Sequence, residues 1–333
     1  YSLTLEPTVS AWDCGEYIAT AYKLQVGHPP GAPLFQLLGR FFTLFAFGDL
    51  ENVALMINIM SALSSSFTIL FLFWTITMLA KKIMISSNSI VPSMGEGWAI
   101  LGAGVVGSLA YTFSDSFWFS AVEGEVYAMS SLFTAIVFWA ILKWEEVADQ
   151  RTGYRWLILI AYIMGLSIGV HLLNLLAIPA IVYVYYYKKY TYSHKGFIIS
   201  GLISLAILVV IMYMIIPGIV ELAGKFELFF VNSIGMPFNT GTIIYFLLIT
   251  AAIVGSLYYT SKKGKVVLNT IVLALLFILI GYSSFFMLVI RANANTPINE
   301  NDPKDAISLL AYLNREQYGT WPIFYGQYYN APV

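Results

Sequence analysis

Eight apolar stretches, at roughly 52–80, 98–113, 126–142, 156–170, 172–187, 197–216, 242–260 and 266–290, run through this chain with no Asp, Glu, Lys or Arg inside them. Runs of this length and uniformity read as membrane-crossing helices. Several fall short of the ~20 residues that a straight span needs, a deficit that tilt or local thinning of the bilayer absorbs. The 156–187 stretch divides into two short helices around His171. Only 11% of the 333 residues are charged, 59% are hydrophobic and the mean hydropathy is +0.76, whereas a soluble domain carries about 25% charged residues. The expected fold is an all-α polytopic membrane helix bundle of about eight spans.

Between Pro33 and Phe47, LFQLLGRFFTLFAF is too short to span comfortably and contains Arg40. It reads as a helix lying along the interface. The chain then divides into a first outer loop with interfacial helices (1–50), a helix bundle (51–290) and an outer C-terminal segment (291–333). Basic residues set the orientation. Lys81, Lys82, Lys143, Arg151, Arg155, Lys188, Lys189, Lys195, Lys262, Lys263 and Lys265 fall in one set of connections. Lys23, Arg40, Lys225, Arg291, Lys304 and Arg315 fall in the other. The richer set is expected to face the cytoplasm, which puts residues 1–50, the 114–125 loop, the 217–241 loop and the tail from Arg291 together on the outer face. The opening YSLTLEPTVS has neither the basic start nor the apolar core of a signal peptide, and reads as the exit from an earlier span.

The outer face is where the chemistry-bearing residues collect. In WDCGEYIATAYKLQVGHPPGAP, Asp13 and Glu16 are three apart and share one face of a helical turn. His28 precedes a Pro-Pro-Gly turn that fixes the backbone. Ser10 or Asp13 also suits a helix N-cap, and His28 also suits a plain turn residue. A carboxylate pair at an interface can take a proton from an acceptor hydroxyl. Glu123 and Glu125 fall together on extended backbone, where they could equally be solvated acids. His171 and Asn174 share a helical face at membrane depth, fit either for interhelical hydrogen bonds or for a lipid phosphate. Arg291 ends a span, where it can snorkel to headgroups or grip a phosphate. Gly102, Gly104, Gly165 and Gly169 read as close helix packing.

Net charge is −1, so no basic field points to nucleic acid. The lone Cys14 cannot form an intrachain disulfide. The sequence contains no P-loop, G-x-G-x-x-G, Cys-x-x-Cys or H-E-x-x-H pattern, which argues against nucleotide hydrolysis and against a zinc site of recognisable motif. Acidic outer residues could bind a divalent metal, but no ligand spacing supports one, and no cofactor is expected.

Taken together, WDCGE, GHPPGAPL, AVEGEVYAM, GVHLLNLL and RANANTPINENDP resemble a bacterial integral-membrane family related to protein O-mannosyltransferases. The resemblance implies a C-type glycosyltransferase that uses a polyprenyl-phosphate sugar as donor and an exported protein or peptide as acceptor. It implies a bacterial inner-membrane location with the active site on the periplasmic side. It also implies that Asp13 is the essential acid of the first outer loop, with Glu16 next to it. On that reading Arg291, His28, His171 and Asn174 serve the donor phosphate. Glu123, Glu125, Tyr17 and Tyr127 lie on the acceptor or sugar side. A translocator of lipid-linked sugars and a non-catalytic scaffold are the alternatives. The first would want ionisable groups inside the spans, where none are found.

Overall fold

A computed structural model describes residues 1–84, 91–150, 152–319 and 326. Arg151 and nearly all of the 291–333 segment beyond Gly319 lie outside the described residues. Fourteen α-helices make up the described chain, joined by short single-turn helices, and no strand occurs among the described residues. The first is α1 (Cys14–Lys23), followed by α2 (Pro33–Thr43). Next come α3 (Val53–Met84), α4 (Met94–Thr112), α5 (Asp115–Val122) and α6 (Val126–Val147), then α7 (Tyr154–Ile168) and α8 (Ile178–Lys189). The rest are α9 (His194–Val209), α10 (Ile216–Leu228), α11 (Thr240–Lys262), α12 (Val266–Tyr282), α13 (Phe286–Asn293) and α14 (Ala306–Leu313).

All eight apolar stretches are helical, but they are not eight full-length spans. Five helical units are long and apolar enough to cross a membrane, and α4 with α5 makes a sixth if that pair, bent by 68°, counts as one. The 156–187 stretch breaks at Gly169–His171 into α7, of 15 residues, and a 3₁₀ turn leading into α8, of 12 residues. Side chains such as Ile198, Leu202, Leu247, Val254 and Val267 stand exposed along α9, α11 and α12. A soluble protein does not present apolar belts of this kind; bilayer lipid covers them. The protein is an all-α integral membrane bundle.

Two expected loops are helices. Within 114–125, Phe117, Ala121 and Val122 give α5 a buried stripe at helical spacing. Within 217–241, Val220, Ala223, Gly224 and Glu227 do the same for α10. Glu227 is buried there and accepts the Asn239 and Thr242 backbone N–H groups, at 2.5 and 2.9 Å, which ties down the start of α11.

The bundle is closed by small residues where the reading placed some of them. A β-carbon at Gly165 would strike the Ile278 backbone, and one at Gly281 would strike the Leu166 backbone, so α7 and α12 meet backbone to backbone. Gly104 packs against Phe73 and Thr77 of α3, whereas Gly102 faces open space.

Helix α6 links the two ends of the molecule, running about 33 Å at 1.5 Å per residue. At its far end Lys82 pairs with Glu145, and Lys188 and Lys189 both pair with Asp149. At its near end stand Glu123, Glu125, α1 and the C-terminal segment. Helix α2 buries Phe35, Gln36 and Gly39 against this end and exposes Leu37, Leu38 and Phe41. That outward apolar face suits a helix lying at the membrane surface.

Candidate functional site

The site begins at the first turn of α1. Asp13 occupies the N-cap position, but its side chain makes no capping bond. Its side chain is 56% exposed, so the carboxylate is available. Ser10, the other candidate cap, donates instead to Glu123 Oε2 at 2.7 Å.

One helical turn on, Glu16 is held by His28 through both carboxylate oxygens. The His28 backbone N–H donates to Oε1 at 2.5 Å, and Nδ1 lies 2.9 Å from Oε2. An ionised carboxylate only accepts, so Nδ1 carries the hydrogen and Nε2 points onward. Nε2 then lies 3.9 Å from Asp13 Oδ2. Gly27 is what permits the approach: a β-carbon there would stand 2.5 Å from Glu16 Oε1. Burial works against ionisation of Glu16. The hydrogen bonds and charge of His28 outweigh it and hold the carboxyl below its usual range. The same hydrogen bond to Glu16 raises His28 above the ordinary imidazole range, against the opposing effect of its own burial.

The turn that carries His28 is clamped by the C-terminal segment. Tyr312 of α14 donates from its hydroxyl to the Gly27 carbonyl at 2.6 Å and reaches that of His28 at 3.2 Å. Gly31, at φ +74°, passes so close that a β-carbon would meet the Tyr312 hydroxyl at 2.7 Å. Val26 and Glu300 complete the clamp: the Val26 N–H donates to the Ile298 carbonyl, and the Glu300 N–H donates to the Val26 carbonyl. Arg291 joins the clamp. Its Nε donates to the Leu24 carbonyl at 2.5 Å and its Nη2 to the Lys23 carbonyl at 3.1 Å, satisfying the free carbonyls at the end of α1.

An open cavity of about 690 Å³ lies beside Asp13, lined by Trp12, Asp115, Phe119, Glu123, Glu125 and Tyr127 among others. Glu123 and Glu125 are buried, not solvated. Glu123 is paired with Ser10, whereas the Glu125 side chain neither caps α6 nor receives a hydrogen bond among the described residues. Burial, joined by the charges of Glu123 and Asp13, pushes the Glu125 carboxyl up to about 7. Tyr17 is wedged between the His28 ring, 5.6 Å away, and the Phe35 ring, at 5.4 Å. Burial raises its phenol, with the nearby acids adding to the effect. The His171 ring packs, tilted by 59°, at 5.4 Å from Tyr127, at the cavity edge, and its Nδ1 accepts the Leu173 N–H. Asn174 is fully buried, with its amide against the Met164 sulfur, which removes it from any phosphate. Cys14 is buried, and burial with the Glu123 charge lifts its thiol to about 12, so it is no nucleophile at neutral pH.

The structure therefore brings together Asp13, Glu16, His28, Glu123, Glu125, Tyr17 and Tyr127, keeps His171 at the margin, and sets Arg291 and Asn174 apart. Sequence reasoning did not find Tyr312, the bond from Ser10 to Glu123, or the cavity wall given by Ser116, Phe119 and Ser120. The signal available for that wall is Asp115 beside Phe117, Trp118 and Phe119 in the sequence.

Comparison with known proteins places this site within a family. The family described as the Protein O-mannosyl-transferase TMEM260 N-terminal domain matches residues 13–194, more than half of the chain. The chain belongs to this family. The TMEM260 N-terminal-domain match includes Asp13, Glu16, His28, Glu123 and Glu125 and stops short of Arg291 and Tyr312. Among curated relatives, the protein O-mannosyl-transferase tmem260 of Dictyostelium discoideum is 28% identical over 179 residues, 52% of this chain and 20% of its own length. The protein O-mannosyl-transferase TMEM260 of Mus musculus is 30% identical over 169 residues, 50% of this chain and 21% of its own length. The chain thus matches about one fifth of the length of these relatives. No solved structure matches it.

Proposed function

We propose that this chain carries the membrane-embedded catalytic site of a glycosyltransferase that moves mannose from a polyprenyl-phosphate donor to Ser or Thr of an exported polypeptide. The observation that carries the reading is the free Asp13 carboxylate, facing an acid-lined cavity and backed by the Glu16–His28 pair. The named activity of the two relatives supports the reaction class.

In this reaction Asp13 accepts the proton of the acceptor hydroxyl as its oxygen attacks the anomeric carbon. The bond from that carbon to the phosphate oxygen breaks, and polyprenyl phosphate leaves with the electron pair. A single displacement inverts the anomeric configuration. A phosphate leaves without a general acid, so one base suffices, unlike the paired carboxylates of glycosidases. Tyr17, Tyr127, Glu123 and Glu125 shape the sugar and acceptor side.

A lipid-borne donor is supported by a second cavity, of about 350 Å³, whose walls include Val220, Phe246, Ile253, Leu276 and Leu309, with Lys304 also lining it. It shares α14 with the site, because Leu309 lines the groove while Tyr312, three residues on, bonds to Gly27 and His28. An apolar chain in that groove would bring its headgroup to the same end of the bundle as Asp13. The location that fits is a bacterial inner membrane with Asp13 on the periplasmic side.

The test is a donor comparison with detergent-purified protein and a Ser/Thr peptide. Mannose delivered from a polyprenyl phosphate should be transferred, and mannose from a nucleotide sugar should not. Transfer from the nucleotide sugar alone, or from neither donor, would refute the reading.

A further inference from the structure

The cavity beside Asp13 has an unbalanced charge. Asp13, Asp115, Glu123 and Glu125 line it, with no Lys or Arg among the lining residues. Glu16 adds a fifth carboxylate, and the nearby counter-charge is His28. Arg291 keeps its charge but does not line the cavity and spends Nε and Nη2 on backbone carbonyls. A donor phosphate entering such a pocket meets repulsion unless a cation is present.

The geometry supplies a place for one. One ligand-type atom from each of Asp13, Glu16 and His28 can be chosen so that all three lie within 4.8 Å of one another. Glu16 is already used on His28 Nδ1, an arrangement that fixes a metal-binding imidazole by its other nitrogen. The free pair is His28 Nε2 and Asp13 Oδ2, 3.9 Å apart. Two ligands each about 2.1 Å from one ion stand about 3.0–3.4 Å apart at cis-octahedral or tetrahedral angles, so the pair closes by roughly 0.5–0.9 Å on binding. Independently, the Glu125 carboxylate lines the same cavity on a side chain only 8% exposed, and no hydrogen bond satisfies it among the described residues. A buried, unpartnered carboxylate in the cavity wall that also holds Asp13 is the complement of a cation.

We infer that Asp13 and His28 bind a divalent first-row cation beside this cavity, with Glu16 orienting the imidazole and Glu125 adding negative charge from the cavity wall it shares with Asp13. The mixed imidazole and carboxylate donors suit Mn²⁺ or Zn²⁺, and two protein ligands leave positions for water and phosphate oxygens. Asp13 would hold the ion through Oδ2 and keep Oδ1 for the acceptor proton. Binding rests on the geometry alone; the role as counter-charge to a donor phosphate rests on the transferase reading.

The test uses chelator-stripped, detergent-purified protein, with Mn²⁺ titrated by electron paramagnetic resonance and Zn²⁺ by equilibrium dialysis. One ion per chain is expected. Asp13→Asn and His28→Ala should each weaken binding at least ~10-fold, and Glu16→Gln by about 10- to 100-fold. Asp149→Asn, at the far end of the bundle, should leave it unchanged. Each variant is first shown by circular dichroism to keep its helix content. Failure to hold either ion, or binding indifferent to both Asp13→Asn and His28→Ala, would overturn the inference. Binding without transfer would refute the transferase reading and leave the metal site standing. Transfer that persists in chelator, in protein that binds neither ion, would do the reverse.

Discussion

His28 holds both carboxylate oxygens of Glu16, one through its backbone N–H and the other through Nδ1, and so presents Nε2 to Asp13. The two residues are 12 apart in sequence, with the rest of α1 and the Leu24–Gly27 connection between them. Their pairing converts a flexible surface carboxylate and a turn histidine into one rigid unit beside the proposed base.

Glu16→Gln keeps the shape but weakens this hold. Sugar transfer should fall by about 10- to 100-fold, the usual cost of removing an orienting partner of this kind. Transfer kinetics of the folded variant check it, and unchanged kcat/KM would show that the pair is only structural.

Gly27→Ala would place a methyl group against Glu16 Oε1. The carboxylate must move, and displacing a positioned group by ~1 Å can cost about 100-fold in rate. Transfer should drop sharply, while Gly48→Ala, with nothing within 4 Å but a positive φ, should affect stability only.

Tyr312→Phe removes the hydroxyl that donates to the Gly27 carbonyl and stands near that of His28, while keeping the buried ring. A loss of about 1–2 kcal/mol is expected for these bonds, with transfer reduced because the His28 turn loosens. Denaturation and transfer of the same sample measure both. An effect on stability alone would separate the clamp from the chemistry.

Glu125 titrates high in the fold, at about 7, against a usual value of 4.5. A raised folded value means that its contribution is fully present below the unfolded value and is lost as pH rises through 7. Glu125→Gln should therefore stabilise the protein relative to the parent at pH 8, by about 1–3 kcal/mol, and much less near pH 4.5. Melting curves in chelator at both pH values decide it. A difference that does not change with pH would contradict the account.

The apolar runs and the acidic first segment were legible because they depend on local composition. Lipid exposure demands long uncharged helices, and Asp13 and Glu16 need only one helical turn to share a face. What was not legible depends on distant contacts. Arg291 reads only as a cation at a span end; that it ties down the end of α1 rests on contacts with Lys23 and Leu24 far away in the chain. Asn174 looks available until Met164 covers it. Glu123 and Glu125 read as solvated until α5 forms and buries them. The metal-type grouping of Asp13, Glu16 and His28 has no motif spacing, since a turn closed by Tyr312 brings the histidine back.

The most direct test of the central claim compares Asp13→Asn with the parent protein in transfer of labelled mannose from a polyprenyl-phosphate donor to a Ser/Thr peptide, with the anomeric configuration of the product determined. The account predicts an inverted product from the parent and a fall of about 10²–10⁴-fold in the variant, the size of a lost general base. Full transfer by Asp13→Asn, or a product of retained configuration, would contradict it.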